Sequence, residues 1–64
     1  MNKMVEIEVQ DQFGHWHHLR RVNDNPATIM LALQAAIQTQ LASRSRKARA
    51  VDADTGQLID ILFG

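Results

Sequence analysis

The chain has no cysteine, and it has only one proline, one tryptophan and three glycines among its 64 residues. The absence of cysteine excludes disulfide bonds, zinc sites built on thiolates and thiol nucleophiles. A chain of this length buries only about 60% of the surface that its unfolded form exposes, so its core is marginal. The remaining sources of extra stability are therefore close packing of that core or association with a partner chain.

The sequence also lacks an excess of charge of either sign and a long apolar run. Seven basic and seven acidic residues cancel, so no global field draws the chain towards nucleic acid or a membrane. The longest stretch with a helical pattern, Ala27 to Ala42, contains three glutamines and is too short and polar to span a bilayer. Val5 to Gln10 alternates where a secretory segment would be apolar. We expect one cytoplasmic domain over residues 1–64, since no linker or repeat divides it.

The first part of the chain predicts a β-hairpin. Apolar and polar residues alternate from Val5 to Gln10, which is the period of a half-buried strand. Asp11 to Gly14 has the composition of a type I turn, and a second strand follows from His15 to Val22. Two registers are open: one buries Trp16, and the other turns Trp16 outward and Leu19 inward. A β-bulge near His17 and His18 would allow both registers, one on each side of the bulge.

A helix is the element with the clearest sequence pattern. Asn25 is a good N-cap, and Pro26 suits the first helical position because its missing N–H would be unpaired there. At 100° per residue one side of this helix collects a predicted buried stripe. The stripe consists of Ile29, Met30, Leu33, Ala36, Ile37, Gln40 and Leu41. Leu31 lies on the opposite side and is expected to be exposed.

The last part of the chain predicts a second hairpin. A third strand is expected from Arg49 to Ala53, and a turn at Asp54 to Gly56 leads into a fourth strand from Leu58 to Phe63. The fourth strand is apolar on both faces. By simple alternation, one face carries Ile59, Ile61 and Phe63, and the other carries Leu58, Asp60 and Leu62.

This order of elements predicts an α+β fold, ββαββ, with a four-stranded mixed sheet and one helix packed on one face. A strand that is apolar on both sides belongs at the centre of a sheet. The fourth strand is therefore placed beside the first and parallel to it, in the order 2-1-4-3. This arrangement resembles the β-grasp of ubiquitin-like proteins. The resemblance lies in element order alone, without a di-glycine tail or a cysteine cluster, and it implies nothing about function.

Three groups of residues have a partial likeness to chemical sites. His15 and His17 share a strand face beside His18, but a metal site needs three or four convergent ligands, so no metal or cofactor is predicted. The segment Asp52 to Gly56 is similar to the start of a calcium loop, yet Phe63 stands where a closing glutamate is required. No nucleophile is paired with an acid–base partner. We expect a protein that is not an enzyme.

Surplus apolar surface is the strongest functional signal in the sequence. One helix covers only one face of the sheet, and clustered aliphatic side chains with tryptophan are typical of interfaces. The residues predicted to form a protein interface are Trp16, Leu31, Leu58 and Leu62. The first hypothesis is a small interaction module that self-associates through the open sheet face, most simply as a symmetric dimer.

A basic segment supports a second hypothesis. Arg44, Arg46, Lys47 and Arg49 would suit contact with phosphates, as in a nucleic-acid-associated accessory protein. No aromatic residue is interleaved with them in the sequence, so base stacking has no platform within the segment. Cations also favour a helix C-terminus. A structural role at the end of the helix is therefore ranked above nucleic-acid contact.

Overall fold

A computed structural model describes residues 3–39, 42 and 44–64. The described residues form four strands and one helix in the order ββαββ. Their bounds are β1 Met4–Gln10, β2 Trp16–Asn23, α1 Pro26–Ala36, β3 Lys47–Asp52 and β4 Leu58–Phe63. The strands form one sheet, and every neighbouring pair is antiparallel. The predicted α+β class and element order are confirmed.

The first hairpin closes on the side chain of Asp11. Its Oδ1 accepts hydrogen bonds from the N–H groups of Phe13 at 2.8 Å and His15 at 2.9 Å. Gly14 has a φ of 86°, a conformation that costs a glycine little. A turn of this kind was predicted, because aspartate at its start and glycine near its end serve these two requirements.

A β-bulge in β2 decides between the two registers of this hairpin. Gln10 lies opposite Trp16, but after a shift in register Ile7 lies opposite Arg20, so Leu19 is the extra residue. Trp16 therefore lies on the sheet face away from the helix. Leu19 borders a cleft beside the helix, and Val22, opposite Val5, packs against the core. Between the turn and the bulge the strands have the predicted register that turns Trp16 outward. Beyond the bulge the register changes, and Val22 faces the core.

Helix α1 begins as the sequence predicts and ends earlier. The side chain of Asn25 accepts a hydrogen bond from the N–H of Thr28 at 3.1 Å, with Pro26 in the first turn. The helix ends at Ala36, and Ile37 is its C-cap. The predicted stripe is buried at Ile29, Leu33, Ala36 and Ile37, whereas Met30 is exposed. Gln40 and Leu41 lie outside the described residues.

The core lies between α1 and one face of the two central strands. Leu33 and Ala36 of the helix are fully buried, as are the inward residues of β1 and β3. Those strand residues are Val5, Ile7, Val9, Ala48 and Ala50. Alanine on β3 opposite the larger side chains of β1 lets the helix approach the sheet closely.

The predicted strand order was wrong. The sheet has the order β2-β1-β3-β4, so β1 and β3 are the central strands and they are antiparallel. The sheet is therefore antiparallel and not mixed. The first and fourth strands, which would be adjacent and parallel in a β-grasp, are not neighbours. The resemblance to the β-grasp is not confirmed. β2 and β3 run in the same direction on either side of β1, and α1 connects them.

The side chains that a central strand must bury account for this difference. β3 places Ala48 and Ala50 beneath the helix, whereas the helix-side residues of β4 include the charged Asp60, whose burial would cost free energy. The third strand also begins earlier than predicted, at Lys47, and this brings Ala48 into the sheet. β4 is an edge strand, where its large side chains at Leu58, Ile59 and Phe63 are exposed.

Among the residues that the structure describes, no helix is long and apolar enough to cross a membrane. The expected cytoplasmic location stays a prediction.

Two leucines on opposite sides of α1 test the orientation of the helix. Leu33→Ala should lower the free energy of unfolding by about 2–5 kcal/mol, because it empties a fully buried site in the core. Leu31 is 68% exposed, so Leu31→Ala should change this free energy by no more than about 0.5 kcal/mol in the monomer. Chemical denaturation of both variants at low protein concentration measures the difference. Equal losses would contradict the orientation.

Candidate functional site

The helix covers one face of the sheet, and the other face, here called the open face, is left without a covering element among the described residues. Strand alternation and the two register shifts determine which side chains occupy it. They are Met4, Glu6, Glu8 and Gln10 of β1; Trp16, His18, Arg21 and Asn23 of β2; Lys47, Arg49 and Val51 of β3; and Leu58, Ile61 and Phe63 of β4. Three of the four strands contribute charged groups to this face, and β4 contributes none.

An apolar strip runs along β4. Leu58 is 53% exposed and Phe63 is 63% exposed, and Ile61 between them is half-buried. Val51 of β3 lies directly opposite Leu58 and forms the inner margin of the strip, where only 8% of its surface is exposed. We refer to Val51, Leu58, Ile61 and Phe63 as the apolar strip. It is a continuous patch on one edge of an uncovered face, the form that interaction surfaces take.

Charged side chains lie in rows beside the strip. Glu6 and Glu8 form an acidic row on β1, and Lys47 and Arg49 form a basic row on β3. Arg49 Nε donates a hydrogen bond to Glu8 Oε1 at 2.7 Å, so the two rows are joined within the chain. The guanidinium of Arg49 also lies over the ring of Trp16, 4.1 Å from its centroid. Arg49 thus connects three strands across the open face.

Glu6 connects the acidic row to β2 through contacts with two side chains. Arg21 Nε donates a hydrogen bond to Glu6 Oε1 at 2.8 Å, and His18 Nε2 contacts Glu6 Oε2. The bond from Arg21 is the main cause that lowers the pKa of Glu6 below its usual value, with a smaller contribution from His18. Glu6 is therefore ionised at neutral pH.

The histidines of the first hairpin converge on carboxylates and not on one another. His17 Nε2 lies 2.6 Å from Asp11 Oδ2, and His15 Nδ1 lies 3.8 Å from the same atom. Within residues 3–39, 42 and 44–64, no group of three or more His, Cys, Asp or Glu side chains is arranged to hold a metal ion. The Asp11 carboxylate is already bound by two backbone N–H groups and His17, so its role is to fix the turn.

The segment similar to a calcium loop is also a turn. Asp52 Oδ1 accepts hydrogen bonds from the N–H groups of Asp54 at 2.8 Å and Thr55 at 3.1 Å. These backbone bonds, and then Lys3 at 3.3 Å from Oδ2, lower the pKa of Asp52. The carboxylate closes the hairpin between β3 and β4, as the turn interpretation of the sequence expects.

The four residues predicted to form an interface do not share one surface. Trp16 and Leu58 lie on the open face, near opposite edges of the sheet. A register shift in β4 makes Ile59 the extra residue, so Leu62 lies opposite Ala48 on the helix side and packs against the core. Leu31 is on the outer side of α1. Their role in an interface stays a prediction, and the apolar strip adds Ile61 and Phe63.

The four residues of the basic segment are divided between a loop and the sheet. Arg44 and Arg46 lie in the turn before β3, where Arg46 has a φ of 52°, and neither is part of α1. Lys47 and Arg49 lie on the open face. The helix ends at Ala36 with no basic residue in its last turn, so the expected support of a helix C-terminus by this segment was wrong.

Aromatic partners for the basic segment come from other strands. Lys47 Nζ lies 5.8 Å from the ring centroid of Phe63, and Arg49 lies over Trp16. The basic segment contains no aromatic residue of its own, but the folded sheet places aromatic rings from β4 and β2 beside it. The apolar side of β4 was visible in the sequence, whereas these pairs depend on the strand order and were missed.

Asp11 should make stability depend on pH in the acid range. The contact with His17, and then the N–H bonds of His15 and Phe13, lower its pKa from 3.8 to about 2. This contribution to stability is complete above the ordinary pKa and is lost as the pH falls towards about 2. Asp11→Asn keeps an acceptor for the backbone but cannot be ionised. Its free energy of unfolding should fall less than that of the wild type over this pH range, as measured by denaturation at each pH.

His17→Gln should lose most of the same pH dependence, because His17 makes the contact that lowers the pKa of Asp11 most. A pH dependence equal to that of the wild type in both variants would contradict the role of Asp11.

Comparison with models of protein families, with curated proteins and with solved structures gave no match for this chain. The function therefore has to be argued from the open face itself. Its distinguishing features are the apolar strip on β4, the two charged rows, and the two pairs in which a cation lies over an aromatic ring.

Proposed function

We propose that the chain is a small, non-enzymatic protein-interaction module that self-associates through the open face. The observation that carries this proposal is the apolar strip, in which Leu58 and Phe63 are more than half exposed on the face that α1 does not cover. A domain this small has no second helix or sheet among its described residues to cover the strip, so association is the remaining way to bury it.

The strip is large enough to drive weak association. Burying an exposed Leu or Phe side chain contributes about 1.5–3 kcal/mol, and Leu58 and Phe63 are both more than half exposed. Association also costs translational and rotational freedom, which offsets much of this gain. We therefore expect weak association, with a dissociation constant towards the upper end of the micromolar range, which corresponds to about 5 kcal/mol.

The shape of the protein supports a role other than catalysis. A cleft of about 240 Å³ lies between β2 and α1, lined by Leu19, Arg20, Ala32, Ala35 and Thr39. This volume is below the range of about 300–1,000 Å³ that is usual for ligand sites. Its polar lining residues are one arginine and one threonine, which do not make an acid–base pair.

Nucleic-acid binding is the second candidate, favoured by the pairs Lys47–Phe63 and Arg49–Trp16. Stacking of bases on aromatic rings beside cations is the usual basis of single-strand binding. The centre of the open face however carries the acidic row. Glu8 binds Arg49 and Glu6 binds Arg21, so two of the cations are already neutralised. A polyanion would have to displace these contacts, and we rank self-association first.

Three lysine substitutions test the proposed surface. Wild-type protein should show a concentration-dependent increase in sedimentation coefficient over the micromolar range. Leu58→Lys introduces a charge into the apolar strip and should raise the dissociation constant at least tenfold, or about 1.4 kcal/mol. Phe63→Lys should act in the same direction.

Leu31→Lys is the matched control, because Leu31 is also an exposed leucine but lies on the outer side of α1. It should leave the dissociation constant within about twofold of wild type. A wild type that stays monomeric at about 1 mM, where contacts of only ~4 kcal/mol are detected, would overturn the proposal. Loss of association in Leu31→Lys alone would move the interface to the helix.

The nucleic-acid candidate makes a different prediction about salt. Fluorescently labelled single-stranded DNA or RNA should bind the wild type no more tightly than the non-specific range of about 10⁻⁴–10⁻⁶ M at physiological salt. Self-association through apolar side chains should persist as salt is raised, whereas contact with phosphates weakens steeply. Salt-sensitive binding tighter than about 1 μM that is lost in Lys47→Ala would place nucleic-acid binding first.

A further inference from the structure

Strand β2 lies at one edge of the sheet, and its outer side has no neighbouring strand among the described residues. The N–H of Asp24 donates a hydrogen bond to the carbonyl of Lys3 at 2.9 Å, which fixes the alternation of the ladder at this end of β2. In an antiparallel pair, successive residues direct their backbone groups to opposite sides of the strand. The N–H and C=O of Val22 therefore point to β1, and those of Arg21 and Asn23 point outward.

Only a short part of this outward edge can accept another strand. The carbonyl of Asn23 already accepts a hydrogen bond from the N–H of Asn25 at 2.8 Å. The N–H and C=O of Arg21 and the N–H of Asn23 make no such bond in the part of the chain that the structure describes. The bulge at Leu19 interrupts the regular edge in the other direction. The available site is therefore the length of a few residues and suits a short extended segment.

The opposite edge of the sheet is less suited to an added strand. The N–H of Gly64 donates to the carbonyl of Arg46 at 2.7 Å, so by alternation the N–H of Ile61 points away from β3. This N–H donates to Asp60 Oδ1 at 2.8 Å, which occupies a group that an added strand would need. The charge of Asp60 also disfavours pairing at this edge. β2 is therefore the better edge for accepting a strand.

The cleft between β2 and α1 lies beside the available edge. Its lining is apolar except for Arg20 and Thr39. The hydroxyl of Thr39 donates to the carbonyl of Ala36 at 2.7 Å, so the guanidinium of Arg20 is the hydrogen-bond donor left for a ligand. A volume of about 240 Å³ is small for a complete ligand but suits one aliphatic side chain.

The charge of β2 indicates which kind of segment fits. Arg20 forms no ion pair within residues 3–39, 42 and 44–64, whereas Arg21 binds Glu6. β2 has two arginines, two histidines and no acidic residue. Pairing of β2 with β2 of a second copy would bring like charges together, which is destabilising. A strand that carries an acidic side chain on the helix side is the complement of this edge.

We propose that β2 binds an extended peptide segment of a partner protein as an added antiparallel strand, with an acidic side chain at Arg20 and an aliphatic side chain in the cleft. Main-chain hydrogen bonds give such strand addition its affinity, and pockets for alternate side chains give it specificity. One peptide residue bonds both backbone groups of Arg21. The residues on either side of it face the helix side of the sheet, where Arg20 and the cleft lie. The site does not depend on the self-association proposed above.

The fluorescein-labelled heptapeptide TITETIT is the probe. In an extended strand its threonines share one face, and its glutamate shares the other face with an isoleucine two residues away on each side. The site offers few main-chain bonds and one small cleft, so we expect a dissociation constant of about 0.1–1 mM by fluorescence anisotropy. The peptide TITKTIT, with lysine in place of glutamate, should bind about tenfold more weakly because its charge repels Arg20.

Reversal of the charge at position 20 tests the contact with the acidic side chain. Arg20→Glu should weaken binding of TITETIT about tenfold and strengthen binding of TITKTIT by a similar factor. The gain for TITKTIT also shows that the variant is folded. Arg44→Glu is the matched control, because it changes the net charge equally at an exposed position in the turn before β3. It should leave both dissociation constants within about twofold of wild type.

Two results of these titrations would overturn the proposal. The first is equal affinity of the wild type for TITETIT and TITKTIT. The second is the absence of TITETIT binding at about 1 mM, where contacts of only ~4 kcal/mol are detected.

Methylation of peptide nitrogens distinguishes strand addition from occupation of the cleft alone. The threonines next to the glutamate direct their N–H groups to β2, so methylating both nitrogens should weaken binding at least about tenfold. The glutamate and isoleucine nitrogens point away from β2, and methylating the glutamate and one isoleucine is the control with the smaller effect. In the protein, hydrogen exchange of the Arg21 N–H should slow on binding, whereas that of Val22 should not change. Equal effects of the two methylation patterns, or unchanged exchange at Arg21, would overturn strand addition.

Discussion

The antiparallel pairing of β1 with β3 beneath the helix determines most other features of this protein. Ile7 lies opposite Ala50 and Val9 opposite Ala48, and all four side chains are fully buried against α1. Helix α1 packs over both of these central strands. Because β3 takes the central position, β4 becomes an edge strand and its large apolar residues lie at the margin. The open face and its apolar strip follow from this one pairing.

Two shifts in register then distribute the side chains between the faces. Leu19 is the extra residue in β2, which allows Val22 to pack inward while Arg21 reaches Glu6 on the open face. Ile59 is the extra residue in β4, which turns Leu58 outward while Leu62 packs on the core. Bulges of this kind redirect side chains without ending a strand. Here they place Arg21 and Leu58 on the open face, at its two outer edges.

Local features of the fold could be predicted from the sequence because neighbouring residues determine them. Asn25 and Pro26 start the helix, Val5 to Gln10 alternate as a strand, and Asp11 and Gly14 close the first turn. Strand order could not be predicted in the same way. It depends on the fit of side chains under the helix, and the apolar content of β4 is a misleading guide because an edge strand can also be apolar on both sides.

The candidate site shows the same limit. The apolar character of β4 was readable from the sequence, but Leu58 and Leu62 were assigned to one face because alternation was assumed to be unbroken. The cation–aromatic pairs could not be found without the sheet order, since Arg49 meets Trp16 across β1 and Lys47 meets Phe63 across a strand pair. The end of the helix at Ala36 separates the basic segment from the helix dipole.

Acidic and basic side chains alternate between neighbouring strands on the open face, and this balance of charge is one reason why we propose self-association over binding of a polyanion. A face meant for a polyanion would have cations without acidic neighbours, whereas here Glu6 and Glu8 lie in the middle. In the proposed self-association the apolar strip would supply the driving force. In a chain with a marginal core, such an interface would also add stability through mass action.

Backbone amide NMR over a concentration series tests this account most directly. As the protein is concentrated from about 10 μM to about 1 mM, a range that spans the expected dissociation constant, shifts should change for β3, β4 and Trp16. The outer side of α1 around Leu31 should remain unchanged. Changes confined to the helix, or spectra that do not depend on concentration, would contradict the claim that the open face is where this protein associates.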